Sequence, residues 1–233
     1  MSARPDGEEP GDFISALAHD LRAPLRAIDG FARIVEEDEG GRLSEEGRKS
    51  MEIIRANAAR MGELIERLLA YARLASAEVE LLEVDMESFA LGAYREAVPP
   101  EGRARIEFDL ARLPVAAGDP RLLKQAWANL ISNAVKFSSK RERARIEIRG
   151  ERLGDELVYT VRDDGVGFDM RYRDKLFGAF QRLHSAREFD GSGLGLAIVR
   201  RAVALQGGRV LAEGEPGRGA VFGFALPAAG AGT

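Results

Sequence analysis

His19 lies in Ala18-His19-Asp20-Leu21-Arg22-Ala23-Pro24-Leu25 and is one of only two histidines in the chain. A neutral imidazole is a nucleophile near pH 7. A carboxylate at the next position can fix its tautomer or take its proton. Such a pair suits reaction with a mobile partner, provided it faces outward. Taken alone, it reads as an ordinary surface pair on a bundle helix, and four segments of the second half of the chain overturn that reading.

The first is Asn129-Leu130-Ile131-Ser132-Asn133-Ala134-Val135-Lys136-Phe137. Asn129, Asn133, Lys136 and Phe137 fall at i, i+4, i+7 and i+8, which is one face of a helix. Amide oxygens suit a hydrated Mg²⁺, and an ammonium suits phosphate. The second is Asp163-Asp164-Gly165-Val166-Gly167, a turn after a strand. Its glycines allow close backbone approach, and its carboxylate can accept a hydrogen bond from the exocyclic amine of adenine. The third, Gly191-Ser192-Gly193-Leu194-Gly195-Leu196, opens a helix whose free N–H groups can meet phosphate. No βαβ unit surrounds it, so a dinucleotide fingerprint is not indicated. The fourth, Gly217-Arg218-Gly219-Ala220, is a turn first and a ligand contact only by association. Each alone reads as a polar helix face or a tight turn. Together they fit one job, holding a nucleoside triphosphate, with the polar stretch from Met170 to Asp190 as a lid.

Positioning these groups requires two kinds of structure. Ile14, Leu17, Leu21, Pro24, Ile28, Phe31 and Val35 alternate spacings of three and four, as do Met51, Ile54, Ala58, Met61, Ile65, Leu68 and Ala72. Both are seams of coiled-coil-like helices. His19 stands two residues from Leu17 and from Leu21, roughly 200° around the helix, so its ring is expected to face water. Glu39 to Leu43 breaks the pattern, and Ser44 can cap the second helix. One hairpin has too little core to stand alone, and a homodimer forming a four-helix bundle is expected. Strands are expected at Glu78–Val84, Arg103–Leu110, Arg143–Arg149, Glu156–Arg162, Gly208–Glu213 and Ala220–Leu226. Helices are expected at Met86–Val98, at Asp119–Phe137 with Asp119 as N-cap, and at Leu194–Gln206. The division is a leader over 1–12, a hairpin over 13–77, a nucleotide domain over 78–227 and a tail over 228–233.

Bulk properties exclude several classes. The 233 residues carry a net charge of −4 and 45% apolar residues, which disfavours a nucleic-acid partner and supports a real core. The absence of cysteine excludes disulfides and thiolate metal sites. No apolar run is long enough to enter a membrane, and a soluble, cytoplasmic chain is expected.

In this order and spacing, the motifs resemble those of the sensor histidine kinases of two-component systems. His19 falls in what looks like the H box and Asn129–Phe137 in the N box. Asp163–Gly167 resembles the first glycine box, Leu176-Phe177-Gly178-Ala179-Phe180 the F box, and Gly191–Gly195 the second glycine box. Phe180-Gln181-Arg182-Leu183-His184-Ser185 is similar to the lid of the phytochrome-type subgroup. The resemblance implies an α+β chain: a dimeric four-helix bundle, then an α/β sandwich of the GHKL (Bergerat) type. It implies His19 as phosphoacceptor with Asp20 as its base, Asn133 as Mg²⁺ ligand with Asn129 beside the phosphates, and Lys136 on phosphate. Asp163 would hold the adenine amine, Gly165 and Gly167 would shape that wall with Phe137 nearby, and Gly191, Gly193 and Gly195 would let the lid close. His184 is given no catalytic role. ATP and Mg²⁺ are the implied cofactors, and a response-regulator receiver domain the implied partner.

Two positions refine the reading. Related ATPases carry Glu where Asn129 stands, and an amide is a poor base for activating water. Kinases that also dephosphorylate their regulators usually carry Thr or Asn at the place of Ala23, so phosphatase activity is expected to be low. The competing readings are an ATPase of the same superfamily and a catalytically reduced dimeric scaffold.

Overall fold

The computed structural model describes residues 10–74, 77–185 and 188–228. The chain divides into two compact units, Met1–Ala77 and Glu78–Thr233. Most of the expected leader and tail, residues 1–9 and 229–233, lies outside the described residues.

The first unit is a helical hairpin of α1 (Pro10–Glu39) and α2 (Glu45–Arg73). Helix α1 begins three residues earlier than its apolar pattern indicates and runs through Pro24 unbroken. Proline removes only one helical hydrogen bond, and the packing on either side outweighs that loss. Ser44 caps α2, its side chain accepting from the Gly47 amide at 3.1 Å.

Within one chain, the two seams behave differently from the expected single buried stripe. The buried line consists of Ala18, Leu25, Ala58, Ile65 and Leu69, with Ile14 packed against it. Leu17, Leu21, Ile28 and Phe31 of α1 and Ile54 and Met61 of α2 stay exposed. Alanines at 18, 32 and 58 let the helices approach closely, so the larger residues fall on the flank. Ion pairs set the register across the hairpin: Arg55 reaches Asp29 at 3.2 Å and Glu36 at 2.7 Å, and Arg22 reaches Glu66 at 2.8 Å.

The second unit is a five-stranded sheet flanked by helices. In chain order it contains β1 (Leu82–Val84), α3 (Met86–Ala97), β2 (Ile106–Leu110), β3 (Ala116–Gly118) and α4 (Pro120–Ser138). β4 (Ala144–Leu153), β5 (Glu156–Asp163), α5 (Gly195–Ala204), β6 (Arg209–Glu215) and β7 (Gly219–Pro227) follow. The sheet order is β2-β4-β5-β7-β6, parallel only between β2 and β4, and β1 pairs with β3 separately. Three details depart from the sequence expectation. β1 is short, Pro100–Arg105 is a 3-10 turn because Pro99, Pro100 and Gly102 precede β2, and Ala-Ala-Gly forms β3 without any β-branched residue. Met170–Lys175 in the lid stretch is likewise a 3-10 turn.

The core lies between α4 and the sheet. Fully buried Trp127 meets Tyr159 and Phe224 edge-on, with ring centroids 6.0 and 5.4 Å away. The start of α4 is set by Asp119, whose carboxylate accepts from the amides of Arg121 and Leu122. The Arg121 guanidinium beside it lowers its pKa to about 2. The Asp119 amide donates to Gln206 just beyond α5 at 2.7 Å, which ties the two helices that frame the site. Among the described residues, no helix is long and apolar enough to cross a membrane.

Candidate functional site

In the first unit, His19 is exposed on α1, as its place between Leu17 and Leu21 requires. Its Nδ1 lies 3.4 Å from Oδ1 of Asp20. A carboxylate can only accept, so the contact favours the tautomer with the proton on Nδ1. That leaves the Nε2 lone pair facing solvent. Pro24 has no N–H to offer the carbonyl of Asp20, one turn back.

In the second unit, α4, the β5–lid turn and the start of α5 form one continuous band. At one end, a Cβ on Gly195 would lie 2.8 Å from Oδ1 of Asn129, and the Asn129 amide donates to the carbonyl of Gln125 at 2.8 Å. Asn133 follows one turn later, half-buried, with its amide bonded to no described residue. A Cβ on Gly191 would lie 3.2 Å from the Lys136 ammonium. That ammonium also sits over the Phe137 ring, 4.2 Å from its centroid. The carbonyl of Phe137 accepts from the Val166 amide at 3.2 Å, and a Cβ on Gly165 would meet that carbonyl at 2.5 Å. Glycine at 191, 165 and 195 therefore keeps backbone against α4 where a side chain would intervene. α5 starts at Gly195 with no side-chain cap, so its first N–H groups are left for another acceptor.

Asp163 closes the other end. It terminates β5 between Ile146 of β4 and Ala220 of β7. It is only 4% exposed, and its Oδ1 accepts from the Gly165 amide at 2.9 Å. Burial raises its pKa to about 6, against the opposing pull of the Gly165 and Ala220 amides. A buried carboxylate has about four acceptor sites, so with these amide donors it retains acceptor capacity for a ligand amine.

Gly167 and Gly193 serve the protein's own packing. Gly167, at φ +62°, approaches the carbonyl of Glu215, and Gly193, at φ +72°, approaches that of Gln181. The Gly217–Ala220 turn is a brace: the Gly217 amide donates to the Val166 carbonyl at 2.8 Å.

Three further residues stand at the site: Arg182 and His184, which the sequence places in the lid motif without a binding role, and Arg141, which carries no signal in the sequence. Arg182 holds the carbonyls of Gly191 and Phe189 at 2.8 and 2.7 Å. His184 places Nε2 3.1 Å from the Gly167 carbonyl and packs with Phe137 and Phe189. Arg141 reaches three carbonyls of the two turns. All three bind backbone groups, which every residue carries, so no residue type marks the partner.

Residues 118–230 match the family described as "Histidine kinase-, DNA gyrase B-, and HSP90-like ATPase", and residues 11–77 match "His Kinase A (phospho-acceptor) domain". The chain belongs to the sensor histidine kinase family. Among curated histidine-kinase relatives and their kin, it is similar to cyanobacterial phytochrome A of Nostoc sp.. The identity is 33%, over 94% of this chain and 28% of that protein. It is also similar to the methanogenesis regulatory histidine kinase FilI of Methanothrix harundinacea, at 32% over 92% of this chain and 24% of that one. The chain thus spans less than a third of the length of these relatives. Full-length ShkA in complex with AMPPNP is similar at 31% identity with a TM-score of 0.71, over 93% of this chain and 46% of that one. Histidine kinase ThkA, solved with the response regulator protein TrrA, shares the fold at a TM-score of 0.62 and 23% identity, over 93% of this chain and 61% of that one. The presence of cyanobacterial phytochromes among the relatives is consistent with the subgroup to which Phe180–Ser185 points.

Proposed function

We propose that this histidine kinase uses ATP to phosphorylate His19 and passes the phosphoryl group to an aspartate of a response-regulator receiver domain. The observation that carries this reading is the band of Asn129, Asn133 and Lys136 on α4, faced by two glycine-rich turns and ended by buried Asp163. The band has the polarity of a nucleotide: donors and amides for the triphosphate at one end, a carboxyl acceptor for the adenine amine at the other. The similarity to ShkA, solved with AMPPNP, supports the same ligand class.

In the reaction, Nε2 of His19 attacks the γ-phosphorus, and the bond from phosphorus to the β–γ bridging oxygen breaks, releasing ADP. The imidazole then carries an excess proton on Nδ1, which Asp20 accepts. Lys136 and the N–H groups opening α5 face the phosphates. The donor set fits Mg²⁺: a free amide oxygen at Asn133 beside Asn129, with no cluster of three carboxylate or imidazole ligands among the described residues. Asn133 would hold a magnesium ion there, which would supply neutralising charge for the phosphates. In the second step, a receiver carboxylate attacks the phosphoimidazole, and His19 leaves as neutral imidazole.

The exposed stripe Leu17, Leu21, Ile28, Phe31, Ile54 and Met61 supports a homodimer through the hairpin. The superfamily ATPase reading is less well supported, because Asn129 cannot deprotonate water. Incubation with γ-labelled ATP and Mg²⁺ tests the proposal. Acid-labile, base-stable label that disappears in His19→Ala is the expected result. Steady ATP hydrolysis without labelled protein would instead support the ATPase.

A further inference from the structure

Arg141 lies in the turn between α4 and β4, held there by its amide, which donates to the Ser138 carbonyl at 2.9 Å. Its guanidinium is exposed, yet three carbonyls converge on it. Nε donates to Asp164 at 2.7 Å, and one terminal nitrogen donates to Gly217 at 2.7 Å and Gly165 at 3.3 Å. Lysine has no comparable planar fork of donors.

The peptide between Asp164 and Gly165 explains why this matters. Its carbonyl, that of Asp164, accepts from Arg141. Its N–H, that of Gly165, donates to Oδ1 of Asp163 at 2.9 Å. In a trans peptide, the two groups point in opposite directions. Holding the carbonyl toward Arg141 therefore aims the N–H at the buried carboxylate. A charge-assisted hydrogen bond at one end of a peptide also polarises the donor at the other. The contact to Gly217 anchors the same turn to the β6–β7 hairpin, where a Cβ on Gly219 would lie 2.0 Å from the Asp163 carbonyl.

We propose that Arg141 is the positioning residue for base recognition: acting through the Asp164–Gly165 peptide, it orients the Asp163 carboxylate and sets the preference for adenine over guanine without touching the nucleotide. The inference rests on the reading of Asp163 as acceptor for the adenine amine. Guanine offers a carbonyl oxygen at the equivalent ring position, which a correctly aimed carboxylate repels. The other charge near Asp163 is the Asp164 carboxylate, which raises its pKa and itself accepts from the Arg145 amide at 3.0 Å. Arg141 works against that neighbour by supporting the Gly165 donor.

The test measures binding of ATP and GTP to the full chain from pH 5.5 to 8, for wild type, Arg141→Ala, Arg141→Lys and Asp163→Asn, with thermal melting in parallel. Arg141→Ala should bind ATP about tenfold more weakly, equivalent to about 1.4 kcal/mol. The ATP/GTP ratio should shrink with it, and the pH below which ATP affinity falls should rise. Arg141→Lys should recover part of both, and labelling of His19 at saturating ATP should stay within twofold. Equal loss of ATP and GTP affinity, with the pH profile unmoved, would reduce Arg141 to a structural brace and overturn the proposal, as would wild-type behaviour of Arg141→Ala. If Arg141→Ala fails to fold, Arg141→Lys alone decides by the same ratio. Asp163→Asn separates the two ideas. Wild-type discrimination in that variant overturns the base-pocket reading itself, whereas lost discrimination there and none in the Arg141 variants overturns only the role of Arg141.

Discussion

Nδ1 of His19 and Oδ1 of Asp20 face each other at 3.4 Å on the open side of α1, with side chains 79% and 82% exposed. The two are adjacent in sequence, so one helix suffices to hold the proposed nucleophile and its proposed base in place. His19→Ala should abolish labelling and leave ATP affinity within a few-fold, because the nucleotide segments all lie in the other unit. Asp20→Asn retains an oxygen for the ring N–H but cannot take the proton. Labelling should slow by about 100-fold or more, the usual scale of a lost general base. Single-turnover labelling at saturating ATP measures it, and a wild-type rate in Asp20→Asn would remove the base from the mechanism.

The folded pKa of Asp163, about 6, stands above its ordinary value of 3.8. Between those values the folded chain keeps a proton that the unfolded chain has shed. The unliganded protein therefore loses stability as pH rises through that window and no further above it. Nucleotide binding runs the other way, since the charged carboxylate is the better acceptor for the adenine amine. ATP affinity should weaken as pH falls through about 6, and the dependence of Asp163→Asn should lack that component. Calorimetric titration of both proteins across pH 5 to 8 provides the comparison, and superimposable profiles would count against the assignment.

The apolar stripe left on the hairpin flank includes Phe31, at 70% exposed, and Met61, at 50%. Burying each such side chain contributes roughly 1.5–3 kcal/mol. Phe31→Asp should therefore convert a dimer to monomers or to aggregates, while Ala23→Ser, elsewhere on α1, should not. Sedimentation velocity at micromolar protein reads the difference. A wild-type chain that sediments as a folded monomer would contradict the dimer.

Ala23 stands exposed one turn after His19. Dephosphorylating an aspartyl phosphate requires a water held in line, and a methyl group can neither donate to nor accept from it. Arg22 and Arg26 alongside can donate but not take a proton. Phosphorylated regulator should thus decay in the presence of His19→Ala and ADP at nearly its own rate. Ala23→Thr in the wild-type background should accelerate that decay. Strong acceleration by His19→Ala alone would show that another group positions the water.

Much of this architecture is written in local patterns. The heptad spacing of both hairpin helices, the Ser44 cap and the Asp119-Pro120 start of α4 involve residues within a turn or two of one another. Short-range sterics and hydrogen bonds decide them wherever the chain goes. The outward face of His19 follows from the same periodicity. So does the alignment of Asn129, Asn133 and Lys136, because a helix fixes which of its own residues share a side.

What lies opposite a given face is a different matter. The line that α1 buries against α2 runs beside its apolar seam, and nothing local says that Ala18 and Leu25, outside the seam, turn inward while Leu17 and Phe31, within it, stay out. That division depends on how closely α2 approaches. The three-residue β3 exists because β1 lies beside it, not because Ala-Ala-Gly favours a strand. Arg141 is the extreme case, since its partners are carbonyls 23, 24 and 76 residues away. Backbone carbonyls are the same at every position, so only the fold, by bringing the β5 turn and the β6–β7 turn to the end of α4, could make an unremarkable arginine part of the site.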